Sequence, residues 1–576
     1  MHMKRILKYI QRTALALGVM MVVGSCNMFD LNINTDPNNP SKADFALLLT
    51  SSQLSTLGFF NNFNNDAHGF MGVMSSSDSY NLSNNSYNGG WNDFYSNGAK
   101  DLEEIIKAAE ANTSAQYYLG IAQVMKAYHF GLFVDLFGDA PYSEAFAGNY
   151  EAANINPKFD AGKDIYEDLI KLCDAAIANF AKTGQATVSG DLYYGGNIAS
   201  WTRLANTVKL RLLINTRLVR NNAAAINAIL TSGNYIQTAA QDFQFRYNRL
   251  ANPEGRHPWF QGGYVSNPSS FTYFLHQYMY EMLLDDDPRF PFYFKRQTTA
   301  ILNPNDQGQA NTIPCSQASG CTYAYFVLNQ DIIKALYTDK GKPFTNNDRL
   351  FLAGIFGRDR GDISGVPQDV NFRTSPGAYP AAGAYDALTY NAAGTLTAAT
   401  TGNTAASRAG DGITPLITSW MTKYYQIEAI LSGISTGDAR KLFESAMREQ
   451  IAKVVSVGSA ADAAAIAPTT AAIDKYVNLY LKRYDDAPND AQKLNIALKQ
   501  AWFSNFGNGH EMYTAFRRTG YPNDIQKPIA RFRQFPLRLP QPQQETDLNK
   551  SAPKSPVAFD TPEAAVFWDV LKFKFQ

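Results

Sequence analysis

Apolar residues recur at helical spacing in several long segments of this 576-residue chain. In the segment QYYLGIAQVMKAYHFGLFVDLFGDAP, the positions that repeat every three or four residues are Tyr117, Ile121, Val124, Tyr128 and Leu132. This spacing places apolar side chains along one side of an α-helix, which then needs an apolar partner. The helix should end near Gly138, with Pro141 just beyond it.

The same spacing returns in SWTRLANTVKLRLLINTRL, SWMTKYYQIEAILSG and AQKLNIALKQAWFSNFG. Short turns with Gly or Asn separate such segments, which predicts helical hairpins stacked as in tetratricopeptide repeats, although no clean repeat of about 34 residues is present. The fold class is therefore predicted to be mainly α. The tryptophans expected to be structural are Trp91, Trp201, Trp420, Trp502 and Trp568.

Composition and charge exclude some classes of protein. Hydrophobic residues make up 45% of the chain, which is enough to bury a large core. Lys plus Arg equals Asp plus Glu at 51 each, so no net field draws the chain to nucleic acid. We expect no nucleic-acid partner.

The amino-acid composition changes in residues 235–414, where Gly, Pro, Asn, Tyr and Ala are the most frequent types. Loops longer than about 15 residues without regular structure tend to be functional or disordered. Abundant aromatic residues favour order, because disordered tracts contain few of them. We predict a domain at 46–576, with a helical scaffold at 46–234 and 415–510, a loop-rich insertion at 235–414 that carries a ligand-binding region, and an extended tail at 511–576.

The amino terminus has the layout of an export signal. Four cations, Lys4, Arg5, Lys8 and Arg12, precede an apolar run at 14–23 that is too short to span a membrane. The run ends in Val-Gly-Ser-Cys at 23–26, which is the pattern of a bacterial lipoprotein signal cut before Cys26. Residues 1–25 are then the signal peptide, Cys26 is the lipidation site, and residues 26–45 are a tether to the membrane. The alternative is an ordinary secreted protein in which Cys26 is incidental.

Three further cysteines complete the set. Cys173 lies in a helical pattern and is predicted to be a buried thiol. Cys315 and Cys321 flank SQASG, and in an exported protein this pair could close a small disulfide loop. Two free thiols, or a metal pair that lacks partners, are the alternatives.

Motifs of enzymes are weak. GISTG at 433–437 matches a nucleophile elbow around Ser435, but that motif needs a preceding strand, and a helical segment precedes it here. The histidines form no HExxH pattern, and no EF-hand loop is present, so zinc and calcium have no sequence support. Carboxylate pairs for glycoside hydrolysis stay open, because their separation is a three-dimensional quantity.

Aromatic residues mixed with amides and cations are the stronger functional signal. Sugar C–H bonds pack on the negative face of an aromatic ring, and hydroxyls bond to planar polar groups. Two segments, DSYNLSNNSYNGGW and EGRHPWFQGGYVSN, combine these types. The candidate ligand-binding residues are Tyr80, Asn81, Tyr87, Arg256, Trp259, Gln261 and Tyr264. For each aromatic residue, packing of the loop onto the scaffold is the alternative.

Several motifs in order along the chain resemble one family. They are the lipobox followed by DLNINTDPNNP, the FGD-x-PY core at 137–142, DLYYGGNIASWTRLANTVKLRLL, DDDPRFPFYF, AWFSNFGNGHEMYTAFRRTGYP and RFRQFPLRLPQPQQE. Their order resembles that of the SusD/RagB-like nutrient-binding outer-membrane lipoproteins of Bacteroidetes, and most closely the SusD-like branch with a DPN-type amino terminus.

The resemblance implies a function. It implies a lipid-anchored protein on the outer membrane, facing the cell surface, that captures an oligosaccharide or a peptide without cleaving it. It also implies a partner, a SusC-like TonB-dependent transporter, to which the ligand is delivered. A surface-anchored glycoside hydrolase or peptidase is the enzyme alternative, and an adhesion or assembly protein is a third.

The loop residues generate a first prediction. Trp259→Ala and Tyr264→Ala should each weaken oligosaccharide binding by roughly 1–3 kcal/mol, the scale for bases stacked on aromatic rings. Binding arrays of glycans and peptides test this. Unchanged binding in both variants would reject these residues while leaving the family resemblance intact.

Overall fold

Sixteen helices carry the fold of the residues described by the structure, a computed structural model that covers 44–147, 155–265, 272, 274–296, 355, 357–361, 374–389, 409–554 and 557–572. Cys26, Cys315 and Cys321 lie outside the described residues. So do the predicted signal peptide at 1–25, most of the tether, and the DPN segment.

The first seven helices lie before residue 235. They are α1 Phe45–Phe70, α2 Asn88–Asp93, α3 Lys100–Glu110, α4 Gln116–Phe137, α5 Gly162–Phe180, α6 Ile198–Asn215 and α7 Ala223–Ser232. Three short helices follow in the irregular part: α8 Pro258–Phe260, α9 His276–Leu284 and α10 Phe290–Tyr293. The remaining helices are α11 Ser419–Leu431, α12 Ala439–Ala461, α13 Thr470–Asp486, α14 Asp490–Ser504, α15 Gly509–Thr519 and α16 Gln543–Leu548.

Strands are few and short in the described residues, and each pairs antiparallel with one other. The pairs are β1 Ala140–Pro141 with β2 Phe159–Asp160, β3 Phe243–Arg246 with β6 Ile413–Ile417, and β4 Phe294–Lys295 with β5 Ser375–Pro376. The mainly helical fold class predicted from the sequence is confirmed. The pair β3–β6 brings the start of the irregular region against its end.

Consecutive helices pack against each other as hairpins. In the amino-terminal part α3 packs on α4, α4 on α5, and α5 on α6, and in the carboxy-terminal part α11 to α14 pack in the same manner. Helix α15 returns to pack along α1, which joins the two ends of the scaffold. It spans Gly509–Thr519, so it extends into residues 511–576, which the sequence predicts to be an extended tail.

Helix α4 differs from its sequence pattern. The spacing predicts one apolar stripe, but the helix is buried on nearly every side, because α1, α3, α5 and α6 surround it. The close approach of α5 requires a residue without a side chain, since a Cβ on Gly120 would lie 2.5 Å from the Phe180 ring. The helix ends at Phe137, and Gly138 follows with φ of 80°, as predicted.

Helix starts follow ordinary capping chemistry. Side chains of the residue before the first turn accept a bond from a backbone N–H of that turn in α1, α6, α12, α13, α14 and α15. The caps are Asp44, Asn197, Asp438, Thr469, Asn489 and Asn508. Asp, Asn and Thr are residue types that the sequence predicts for the position before a helix.

The GISTG segment is the turn of a hairpin. Helix α11 precedes it and α12 follows it, so the strand that a nucleophile elbow needs is absent at this place. The Ser435 hydroxyl donates to Asn227 Oδ1 at 2.7 Å, which fixes the turn to α7. Ser435 is therefore structural, as the helical pattern around it predicts.

The core contains the expected tryptophans and one thiol. All five predicted structural tryptophans are buried: Trp91, Trp201, Trp420, Trp502 and Trp568. Cys173 is fully buried in α5, and burial raises the pKa of its thiol.

Several guanidinium groups are also buried, and Arg289 and Arg211 form ion pairs. Arg289 binds Asp287 through two nitrogens, at 2.8 and 2.6 Å, and donates to Gln450 Oε1 at 2.9 Å. Arg211 binds Asp135 of α4 at 2.9 Å and also pairs with Glu511 of α15. These contacts connect segments that are far apart in the sequence.

We expect Arg289→Ala to lower the free energy of unfolding by about 3–5 kcal/mol, because it leaves the buried Asp287 carboxylate without its counter-ion. Arg440→Ala is the matched control, since Arg440 pairs with Asp485 at an exposed site and should cost at most about 1 kcal/mol. Urea denaturation followed by circular dichroism measures both. Equal losses in the two variants would contradict a structural role for the buried pair.

Candidate functional site

Trp259, the tryptophan predicted to bind ligand, lies in the packed interior. It is 5% exposed, and its indole Nε1 donates to Asn65 Oδ1 of α1 at 3.0 Å. The ring packs edge-on against His68 and Phe506, with centroid distances of 5.4 and 5.3 Å. A ring covered in this way offers no face to a sugar.

Tyr264 is held in a similar manner. Its hydroxyl donates to the Pro376 carbonyl at 2.7 Å and accepts from the Ala384 N–H at 2.8 Å. The ring stacks on Phe260 with centroids 5.0 Å apart. Tyr264 therefore ties the segment after α8 to strand β5.

The two tyrosines of the earlier loop are buried in other clusters. Tyr80 packs near Phe535, and its hydroxyl accepts from the Arg360 guanidinium at 2.9 Å. Tyr87 stacks on Phe63 of α1 with centroids 5.8 Å apart. The rings of both predicted loops thus belong to the hydrophobic core.

The three polar candidates are more accessible than the rings. Asn81 is exposed, whereas Arg256 and Gln261 are half-buried. Arg256 is engaged by Glu254 at 2.9 and 2.8 Å, and the Gln261 Nε2 atom is buried without a hydrogen-bond partner. In this structure Tyr80, Tyr87, Trp259 and Tyr264 are buried and pack onto the scaffold. Their assignment to ligand stacking is therefore corrected. A ligand role for the polar three stays a prediction.

An accessible group of aromatic residues lies elsewhere, in a cleft of about 570 Å³. This volume falls within the range of ordinary ligand sites. We call it the aromatic cleft, and its lining consists of Trp91, Asn92, Tyr95, Ser96, Lys100, Pro141, Ala145, Phe146, Pro157, Gln544 and Glu545.

Helix α2 and the π-helical turn at Phe94–Ala99 position the rings of the cleft. Trp91 and Tyr95 are four residues apart, and their centroids lie 5.5 Å apart. Tyr95 is oriented by its hydroxyl, which donates to the Pro141 carbonyl at 2.7 Å. Phe146 stands 6.3 Å from the Tyr95 ring. Trp91 is buried and forms the floor, whereas Tyr95 and Phe146 are half-buried and present ring surface.

Polar groups of α16 complete the cleft. Asn92 Nδ2 donates to Gln544 Oε1 at 2.9 Å, which connects α2 to α16. Glu545 accepts from Asn549 Nδ2 at 2.8 Å. Burial raises the pKa of Glu545, and the polar Asn549 and Trp91 side chains act against that rise. The cleft therefore combines ring surface with amide and carboxylate oxygens, which is the chemistry that sugar hydroxyls and C–H faces require.

A second cleft adjoins the first and shares Phe146 with it. Its volume is also about 570 Å³, and its walls carry acidic groups and two lysines. Many of these groups are engaged, since Asp160 accepts from the Ser143 N–H at 2.7 Å and Lys126 binds Glu103 at 2.8 Å. Phe146 thus has accessible space on two sides.

The residues of the aromatic cleft are not among the candidates that the sequence predicts. The sequence places Trp91 in the core and gives Tyr95 no role. One signal was available, because the aromatic pair Trp91 and Tyr95 and the polar pair Asn92 and Ser96 each repeat at four residues, which places both pairs on one side of a helix. Nothing in the sequence indicates that residues 544–545 join them.

The loop at 76–80 is fixed by buried carboxylates. Asp66 accepts from the Ser76 and Ser77 hydroxyls at 3.2 and 2.6 Å. Asp78 accepts from the Gly361 N–H at 2.6 Å. Burial raises the pKa of Asp78 to about 6, although the Gly361 N–H and the charges of Arg360 and Arg358 act in the opposite direction.

No group of three or more His, Cys, Asp or Glu side chains in the described ranges is arranged to hold a metal ion. Likewise, none of the helices described is both long enough and apolar enough to cross a bilayer.

Comparison with known families and structures gives consistent matches. A family model described as starch-binding and associating with the outer membrane matches residues 37–345, and one described as SusD and RagB outer membrane lipoprotein matches residues 395–569. No curated protein sequence matches the chain.

Solved structures share the fold. A protein described as chitin-binding is 19% identical with a TM-score of 0.63, and the match covers 92% of this chain and 100% of that one. A SusD homologue from Bacteroides fragilis is 17% identical with a TM-score of 0.62, and the match covers 92% and 99%. A chitin-binding SusD homologue from Flavobacterium johnsoniae is 17% identical with a TM-score of 0.59, and the match covers 92% and 98%.

The raised pKa of Asp78 predicts a pH dependence of stability. The folded protein holds the Asp78 proton up to about pH 6, whereas the unfolded chain loses it near 3.8. The contribution of Asp78 to the free energy of unfolding is therefore complete below pH 3.8. It decreases by roughly 3 kcal/mol as the pH rises from 3.8 through about 6.

We expect the free energy of unfolding, measured by urea denaturation between these two pH values, to fall less steeply with rising pH in Asp78→Asn than in the wild type. Asp174→Asn is the control, since the Asp174 side chain is 56% exposed and pairs with Lys209 at the surface. Identical pH profiles for wild type and Asp78→Asn would contradict the assignment.

Proposed function

The chain belongs to the SusD-like family of outer-membrane lipoproteins, and from this premise we propose that it binds an oligosaccharide nutrient at the cell surface and delivers it to a transporter. The observation that carries the proposal is the match of one family model to residues 37–345, more than half of the 576-residue chain. The helical hairpins and the overall match to SusD homologues support it.

We assign the aromatic cleft as a ligand contact. Half-buried Tyr95 and Phe146 stack on sugar rings, and the Gln544 and Glu545 side chains bond to hydroxyls. The rigid frame supports this role, because the Tyr95 hydroxyl and the Asn92–Gln544 contact fix the walls before ligand arrives. Chitin-binding relatives make oligosaccharides of N-acetylglucosamine a reasonable first probe. A peptide is the alternative ligand.

The anchor and the partner complete the proposal. Lipid on Cys26 holds the protein on the outer membrane, facing the cell surface, and the tether gives the folded part freedom to move. The partner is a SusC-like TonB-dependent transporter, which receives the ligand. No covalent bond in the ligand is made or broken by this component.

The enzyme alternative, a surface glycoside hydrolase or peptidase, has a weaker basis. Its best motif, around Ser435, is the hairpin turn between α11 and α12. Incubation of the purified protein with labelled oligosaccharides and peptides decides between binding and turnover. Released products would overturn the proposal.

Tyr95→Ala and Phe146→Ala should each weaken oligosaccharide binding by roughly 1–3 kcal/mol, because each removes a stacking surface. Isothermal titration with chitin and maltose oligosaccharides and with short peptides measures this. Tyr117→Ala, which removes a half-buried ring of α4 outside the cleft, is the matched control. Wild-type affinity in both cleft variants would reject the cleft and leave the family assignment in place.

The anchor and the partner are tested in the same strain. Mass spectrometry of the mature protein should find acyl chains on Cys26, and pull-down from detergent-solubilised membranes should recover a large β-barrel. An unacylated protein free in the medium, without a barrel, would contradict the transport role.

A further inference from the structure

The second cleft, which adjoins the aromatic cleft, is formed by the same elements a few residues further along each of them. Helix α3 gives Lys100 to the aromatic cleft and Glu103, about one helical turn later, to the second cleft. At strand β1, Pro141 lines the aromatic cleft and the next residue, Tyr142, lines the second. The two cavities therefore lie side by side.

The Phe146 side chain forms the border between the two cavities. Among the described residues it alone lines both, and its neighbours Ala145 and Ala147 line the aromatic cleft and the second cleft respectively. The Phe146 ring is half-buried, and its centroid lies 6.3 Å from that of Tyr95. Each cavity has a volume of about 570 Å³, which is enough for a ligand of its own. A chain that passes Phe146 can occupy both.

The wall of the second cleft is held in a fixed orientation around Tyr142. Its hydroxyl donates to Asp168 of α5, and Phe130 of α4 packs edge-on against its ring with centroids 4.8 Å apart. The Lys126 ammonium lies 4.9 Å from the centroid of the same ring and is also paired with Glu103 at 2.8 Å. Little side-chain entropy is therefore lost when a ligand meets this wall.

Two charged side chains of the second cleft are free. Lys107 of α3 and Asp164 of α5 are exposed, and their side chains form no hydrogen bond or ion pair with the described part of the chain. An ammonium donates to sugar hydroxyls and a carboxylate accepts from them. Because one charge of each sign is available, this pair favours neither an anionic nor a cationic ligand.

We propose that one uncharged oligosaccharide binds across both clefts, with a sugar ring on Phe146 and the far end of the chain on the Lys107 and Asp164 side chains. This inference rests on the proposed function and specifies its ligand by charge and length. The second contact is made by a molecule that is already bound at the first, so affinity rises with chain length until both clefts are filled.

The experiment compares chitin oligosaccharides of two and six units by isothermal titration, with the full chain in a neutral detergent. We expect the wild type to bind the six-unit ligand at least about 10-fold more tightly. Ala147→Trp, which fills space in the second cleft, should remove this preference and leave binding of the two-unit ligand almost unchanged. Ala145→Trp is the matched variant, because Ala145 lines the aromatic cleft, and it should weaken both ligands.

Substitution of the free charges tests the far end of the site. Lys107→Ala and Asp164→Ala should each weaken the six-unit ligand roughly 2- to 12-fold, since each removes a hydrogen-bonding partner, and should not change binding of the two-unit ligand. Lys171→Ala removes an exposed lysine of α5 that lines neither cleft, and it should bind as the wild type does. Circular dichroism checks that every variant is folded.

The inference and the proposed function fail in different ways. Equal affinity of the wild type for both lengths, or a preference for the long ligand that survives in Ala147→Trp, would overturn the inference and leave the proposed function standing. Wild-type affinity in both Lys107→Ala and Asp164→Ala would overturn the assignment of the far end. Tighter binding of a glucosamine or galacturonate oligosaccharide of equal length would overturn the uncharged class. If chitin and maltose oligosaccharides both fail to bind at either length, the proposed function falls as well.

Discussion

One buried carboxylate, Asp135 near the end of α4, joins elements from the whole length of the chain. It forms an ion pair with Arg211 of α6 at 2.9 Å and accepts from the Trp568 indole at 2.9 Å, and the Tyr166 hydroxyl also donates to it. The Asp135 carbonyl accepts from Arg517 of α15 at 2.6 Å. Charges in a low-dielectric interior are tolerated only when they are paired and hydrogen-bonded, so these elements must assemble in one arrangement. The contacts of Asp135 therefore hold together the stacked hairpins, helix α15 and the carboxy-terminal tail.

Aromatic residues of this molecule fall into two groups that differ in burial. In the irregular region Phe506 is the common contact of Trp259, Phe274 and Tyr293, so the rings there attach loops to the scaffold. In the aromatic cleft, Tyr95 and Phe146 keep part of their surface accessible. Phe532, in the carboxy-terminal part of the chain, is 57% exposed. Abundance of Tyr, Phe and Trp in a loop therefore indicates order, whereas accessibility decides whether a ring can meet a ligand.

Much of the helical scaffold could be predicted from the sequence, because spacing and caps are local. The end of α4 just before Gly138, the turn around Ser435 and the buried Cys173 all follow from neighbours within a few residues. The complete burial of α4 could not be predicted, since it results from helices that pack on it from four directions. The candidate site also combines local features with features that depend on the tertiary fold. The Trp91 and Tyr95 spacing was visible, but Glu545 reaches them only through the tertiary fold, and the polar partner of Trp259 lies on α1.

The composition of the aromatic cleft has a consequence for biogenesis. Its floor comes from residue 91 and its polar edge from residues 544–545, close to the carboxy terminus of the 576-residue chain. Domains fold as their segments emerge during synthesis, and here the early helices acquire their final neighbours last. A chain that lacks α16 therefore has only one side of the cleft. The cleft is therefore complete only once the carboxy-terminal segment has packed against α2.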